Sequence, residues 1–161
     1  MQAPKHILSV IVLAQFCCTS LWFAGNGVLT QLTEKFLLPS EALGHLTAAV
    51  QFGFITGTLI IALLTLVDRF SPSKLFFYSA LLGALINLLV LCSGNNMWSL
   101  IIIRFFTGFF LAGIYPVGMK IAADYYDKKL GRSLGYLVGA LVLGTALPHL
   151  ITTFTIAISW H

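Results

Sequence analysis

Apolar residues along this chain gather in five long runs, at 7–32, 46–67, 75–91, 98–122 and 134–158. Each run is roughly 17–26 residues long. A helix rises about 1.5 Å per residue and a bilayer core is about 30 Å thick, so the runs match membrane crossings, the third being at the lower limit. Stretches such as Leu59-Ile60-Ile61-Ala62-Leu63-Leu64 show no alternation. That excludes the period-two pattern of a membrane barrel. Backbone groups in lipid must be satisfied within their own element, so the pattern predicts helices. The expected fold is an all-α membrane protein with five transmembrane helices, one helical domain over residues 1–161.

Polar residues inside the runs are not scattered. Gln15, Thr19, Trp22, Asn26 and Thr30 recur at spacings of four and three, which places them on one helical face. Thr47, Gln51, Thr58 and Thr65 share a face of the second run. Such stripes are expected to face other helices or a watered cavity rather than lipid tails. The pairing of Trp22 with Asn26, a flat apolar surface with an amide handle, suits a solute pathway. The third run holds one strongly polar residue, Asn87, and reads as a peripheral helix. Gly53 and Gly57 form a G-x-x-x-G, and so do Gly135 and Gly139. Missing side chains let helix backbones approach at such places. Gly144 and Pro148 add to the fifth run, where the proline removes a backbone donor and favours a bend.

Arg104 lies six residues inside the fourth run, about 9 Å below the interfacial Trp98 if helical. An arginine at that depth is costly and usually faces the protein interior; snorkelling to the outer interface is the alternative. Its face continues through Gly108, Leu111 and Tyr115, which suggests a cavity wall with room at the glycine. No Asp or Glu lies within any of the five runs. The counter-charge for Arg104 is therefore an anionic solute, a cluster of carbonyls or an acid on other helices. His149, beside Pro148, is the one histidine buried in a run, and packing is the preferred reading for it.

Composition agrees with this picture. The chain of 161 residues is 58% hydrophobic and 9% charged, with mean hydropathy +0.95. Soluble domains carry about 25% charged residues, and loops this short leave no room for a soluble catalytic domain. The first run has no small-residue cleavage site after it and is read as retained. Cys17, Cys18 and Cys92 sit inside apolar runs without metal-ligand spacing, and buried small hydrophobes are the expected role. No H-E-x-x-H, paired-acid or nucleophile motif occurs, so an enzyme is not expected.

Charge gives an orientation. Lys5, Arg69, Lys74, Lys120, Lys128, Lys129 and Arg132 fall on one side, seven against Lys35 alone on the other. The positive-inside rule puts the N-terminus and both basic loops in the cytoplasm, in a cytoplasmic (inner) membrane, with the C-terminus outside. The net charge of +4 follows from this asymmetry. A nucleic-acid partner is not called for.

Three motifs carry a resemblance. Asp68-Arg69-Phe70-Ser71-Pro72-Ser73-Lys74, after the second run, is similar to the signature G-x-x-x-D-R-x-G-R-K of the major facilitator superfamily. Its leading glycine falls at Leu64, Ser71 and Pro72 replace the later glycine and arginine, and the closing base comes one residue late at Lys74. Arg104-Phe105-Phe106-Thr107-Gly108 resembles the R-F-x-x-G of the fourth helix, extended by Gly113-Ile114-Tyr115-Pro116. Gly135 and Gly144 fit the start of the antiporter signature, but Pro148 stands where its next glycine belongs, so antiport is not supported. In order, spacing and sidedness the chain resembles the N-terminal half of such a transporter.

The resemblance implies secondary active transport of a small solute by alternating access, with two six-helix bundles rocking about a central site. By position, Asp68 and Arg69, with Lys74, would latch a cytoplasmic gate. Gln15, Trp22, Asn26, Arg104 and Tyr115 would line the substrate pathway, Arg104 binding solute or aiding proton coupling. No cofactor is implied; a proton is the coupling ion to test. An anionic solute is preferred over a cationic one. Ser159-Trp160-His161 resembles the opening of a sixth helix, so the expectation is a five-helix fragment, inactive alone and lacking its C-terminal helices. The alternative is a small integral subunit or regulator packing against a partner membrane protein.

Overall fold

The computed structural model describes residues 7–27, 36–39, 41–92, 94–126 and 130–158. All regular structure among them is helical. The helices are α1 (Ile7–Gly27), α2 (Ala42–Leu63), the single turn α3 (Leu66–Arg69), α4 (Pro72–Leu88, followed by a 3₁₀ turn over Leu89–Leu91), α5 (Met97–Leu111), α6 (Tyr115–Tyr125) and α7 (Leu130–Ile158). Three stretches, Ala42–Leu63, Pro72–Leu91 and Met97–Tyr125, have the length and apolarity to cross a membrane. Ile7–Ser20 and Leu130–Gly144 are shorter apolar helical stretches. This is the all-α membrane architecture that the apolar runs predict.

Two pairings organise the bundle: α2 packs on α5 along most of their lengths, and α1 on α7. The first depends on three glycines. A Cβ on Gly53 would fall on the carbonyl of Phe105, one on Gly57 would meet the carbonyl of Phe109, and one on Gly108 would fall on the carbonyl of Val50. The first G-x-x-x-G therefore works within the chain, and Gly108 answers it from the opposite helix. Backbone-to-backbone approach replaces side-chain interdigitation, and dispersion supplies the attraction. Gly108 does not leave room in a cavity wall, as its spacing from Arg104 suggests; the second helix fills that room. Around Gly135 and Gly139 there is open space instead. They border a groove of about 780 Å³ between α1 and α7.

Helix ends are set by short polar signals. Asn96 caps α5: its side-chain oxygen accepts from the Ser99 N–H at 2.9 Å, and the Ser99 hydroxyl accepts from the Asn96 N–H at 2.9 Å. Asn95 donates from its amide to the carbonyls of Leu89, Val90 and Cys92, closing the preceding 3₁₀ turn. The pair Asn95-Asn96 thus ends one helix and starts the next. At the other end of the bundle Pro72 occupies the first turn of α4, where its missing N–H costs nothing. Between α2 and α3 the chain passes through Thr65 at φ 49°, a left-handed conformation unusual for a β-branched residue.

The fourth apolar run is not one helix. It breaks over Ala112-Gly113-Ile114, near the middle of Met97–Tyr125. Pro116 has no N–H to offer the carbonyl of Ala112, which interrupts the ladder. The turn closes part of the gap through bonds from Ala112 N to Gly108 O (3.3 Å), Gly113 N to Phe110 O (3.0 Å) and Ile114 N to Leu111 O (3.0 Å). Gly113 lies against Ser79 of α4, where a Cβ would strike the serine hydroxyl.

Cys17 and Cys92 lie on the outside of the bundle, and Cys18 is half-buried. The expectation of buried cysteines is corrected: an outer face turned to lipid accepts an apolar thiol as readily as a core does. The peripheral reading of the third run agrees with α4, on which Ser79 and Gly83 are the buried positions.

Candidate functional site

Five helices meet around a cavity of about 270 Å³ lined by Thr19 and Trp22 from α1, Phe54 from α2, Leu111 of α5 and Tyr115 of α6 from the two sides of the helix break, and Leu141 from α7. Trp22 and Phe54 meet edge to face, with ring centroids 5.4 Å apart. Trp22 and Tyr115, chosen from sequence as pathway residues, come together here from separate helices. Phe54 and Leu141 were not legible as partners. They belong to uninterrupted apolar stretches, and nothing in the local pattern separates them from lipid-facing neighbours.

Gln15 lies one turn from Thr19 and is fully buried. Its side-chain oxygen stands against Gly118, in the first turn of α6, where a Cβ would strike it. Neither its amide nitrogen nor its oxygen has a hydrogen-bond partner among the described residues. The other polar members of the stripe behave differently. Thr19 donates to the carbonyl of Gln15 at 2.8 Å, and Thr107 of α5 donates to Ile103 at 2.8 Å. These hydroxyls are satisfied by their own helices and tie no two helices together. Asn26 lies on α1, its side chain outside the described part, and Thr30 lies outside the described residues. The second stripe faces outward at Gln51 and Thr65, with Thr47 and Thr58 half-buried.

Arg104 is 2% exposed, so it faces the protein rather than snorkelling to the interface. It does not line the aromatic cavity, which begins two turns further along at Leu111. His149 lies on α7, with its side chain outside the described part.

At the opposite end of α6 the basic loop meets the fourth run. Lys120 pairs with Asp68 at 3.3 Å and with Asp124 at 3.9 Å. Asp68 thus accepts from a neighbouring helix rather than from the bases beside it. Arg69 and Lys74 are exposed, and neither has a carboxylate within 4 Å among the described residues. Lys120 is the residue that sequence reasoning counted for sidedness and missed for this contact. Nearby, the Leu8 N–H, an orphan donor at the start of α1, donates to the Tyr126 hydroxyl at 3.1 Å. The start of the first helix, the loop after the second and the end of the fourth therefore share one end of the molecule.

The Major Facilitator Superfamily profile matches residues 11–161. The chain belongs to the major facilitator superfamily. No curated protein and no solved structure matches it. Membership makes it an integral membrane protein of a family that transports small solutes. Among the described residues no cluster of potential metal ligands occurs.

Proposed function

We propose that the chain forms one wall of a secondary transporter that moves a small solute by alternating access, with its N-terminus in the cytoplasm, and that it is not an enzyme. The observation that carries this reading is the meeting of Trp22 and Tyr115 across an aromatic cavity at the point where a membrane-length helix breaks. Non-helical backbone at membrane depth is tolerated where it is buried in protein or lines a cavity. The opposing wall comes from helices outside this five-run chain. Gln15, Trp22, Asn26 and Tyr115 form the pathway on this side. The positive charge of Arg104 on the fourth run favours an anionic solute, and proton coupling is the simplest energy source. The Asp68–Lys120 pair, with Arg69 and Lys74 beside it, supports the gate on the cytoplasmic side.

Uptake of labelled organic anions, sugars, amino acids and organic cations by membranes containing the native protein tests this. Flux of at least one class should appear, and Trp22→Ala and Tyr115→Ala should each lower it about tenfold or more while the inserted amount stays constant, as expected for loss of about 1.4 kcal/mol or more of solute contact. Absence of flux for all four classes would overturn the transport reading.

A further inference from the structure

The aromatic cavity sets limits on the size, charge and ring character of what it accepts. It lies at the helix break, near the middle of the membrane-length stretch Met97–Tyr125. An apolar cavity of about 150 Å³ is enough to hold benzene. At about 270 Å³, this one has room for a second, fused ring.

None of the lining residues is charged. The Thr19 hydroxyl is spent on its own helix, donating to the carbonyls of Gln15 at 2.8 Å and Phe16 at 3.3 Å. An ionised group carried in here would give up its water and meet no opposite charge on the wall. Ring faces attract a cation, but that attraction offsets only part of the desolvation, and no Asp or Glu lies in the five runs to supply the rest. The occupant of the cavity is therefore uncharged.

Ring character follows from the three aromatic side chains in the lining. Trp22 and Phe54 stand edge to face, with centroids 5.4 Å apart and planes at 75°, and Tyr115 joins them from α6. Ring quadrupoles favour offset or perpendicular neighbours, and each such pair adds about two- to tenfold in affinity beyond the area buried. A saturated ring system of equal size gains from buried area alone.

We infer that the cavity takes the uncharged, bicyclic aromatic end of the solute, a ring system of indole or naphthalene size, and that an ionised group on the same solute stays outside it. This rests on the transport reading and deepens it. The anionic preference drawn from Arg104 concerns that outer group, since Arg104 does not line the cavity.

The test titrates tritiated indole onto the 161-residue chain in phosphatidylcholine nanodiscs by scintillation proximity, with empty nanodiscs subtracted for partition into lipid. Binding should saturate. Naphthol should compete about tenfold more tightly than decalol, its saturated counterpart, and more tightly than phenol, which fills only part of the space. Tetramethylammonium should not compete. Phe54→Leu keeps the wall apolar and removes one ring, so it should narrow the naphthol-to-decalol ratio about two- to tenfold and leave decalol unchanged. Leu141→Phe fills the cavity and should weaken indole about tenfold or more while the melting temperature holds or rises. Where a variant fails to insert, the naphthol-to-decalol ratio of the unaltered chain decides. Absence of saturable binding, equal competition by naphthol and decalol, displacement by tetramethylammonium, or a ratio indifferent to Phe54→Leu would overturn the inference. Flux in the uptake assay with no preference for bicyclic aromatic members of the transported class would remove this inference alone. Saturable indole binding without flux in any class would remove the transport reading and leave the site.

Discussion

At the scale of the residue, the polar groups of the spans divide by how they are satisfied. Thr19 and Thr107 return their protons to their own helices, so removing them should be mild. Gln15 has no such outlet, although it sits in the same sequence stripe. Spacing put Gln15 and Thr19 on one face correctly; it carried no information on which one would find a partner. Lys120 illustrates a different contrast. Its pair with Asp68 is 38% and 69% exposed at the two side chains, and such pairs contribute about 1 kcal/mol or less. Lys120→Gln should therefore move the melting temperature in detergent by no more than a few degrees. In the uptake assay its effect should be larger, and Asp68→Asn should resemble it. A large thermal destabilisation with unchanged flux would make the pair structural rather than a latch. Arg104→Ala should abolish flux of anionic solutes with the protein still inserted; unaffected uptake would remove Arg104 from the pathway.

At the scale of the element, the α2–α5 pair and the broken fourth span define the architecture. A methyl group at Gly53 or Gly108 would fall on backbone, which cannot swing aside as a side chain can. Gly53→Ala and Gly108→Ala should each destabilise the bundle by about 1–3 kcal/mol or more, the usual range for overpacking. Gly135→Ala and Gly139→Ala, which meet open space, should cost far less, and thermal unfolding of the four variants in one detergent checks the contrast. Both G-x-x-x-G motifs look alike in sequence because the motif records only that a backbone is bare. What approaches it is a property of the neighbour. The helix break was half legible: Pro116 and Gly113 are visible, but proline one turn into a helix is common and does not by itself end one. Thr65 is a second local feature without a sequence signal. Thr65→Gly should relieve its left-handed strain and raise the melting temperature, and a drop would show that the side chain has another role.

At the scale of the whole molecule, sidedness and packing support one another. Basic residues collect on one side in sequence, and the structure brings the start of α1, the loop after α2 and the end of α6 to one end through Leu8–Tyr126 and Asp68–Lys120. Labelling of single engineered cysteines with an impermeant maleimide checks the orientation. A site at Phe70 or Ser71, between α3 and α4, should be protected in sealed right-side-out cells and reactive after lysis. One in the turn at Gly94 should react in both. Reversal of the pattern would place the basic loops outside.

The sequence by itself determined what depends on burial in lipid and on local periodicity: helical spans, their approximate lengths, the charge asymmetry, and the helical faces that hold Gln15, Trp22, Arg104 and Tyr115. Tertiary structure decided everything that depends on who the neighbour is. It turned one G-x-x-x-G inward and left the other open, gave Asp68 to Lys120, moved Gly108 from cavity to contact, and set Gln15 against a helix that breaks. The reason is physical. Hydropathy and helical spacing act along a single chain segment, whereas close packing and hydrogen-bond satisfaction are relations between segments far apart in sequence, and several pairings satisfy the same periodicity.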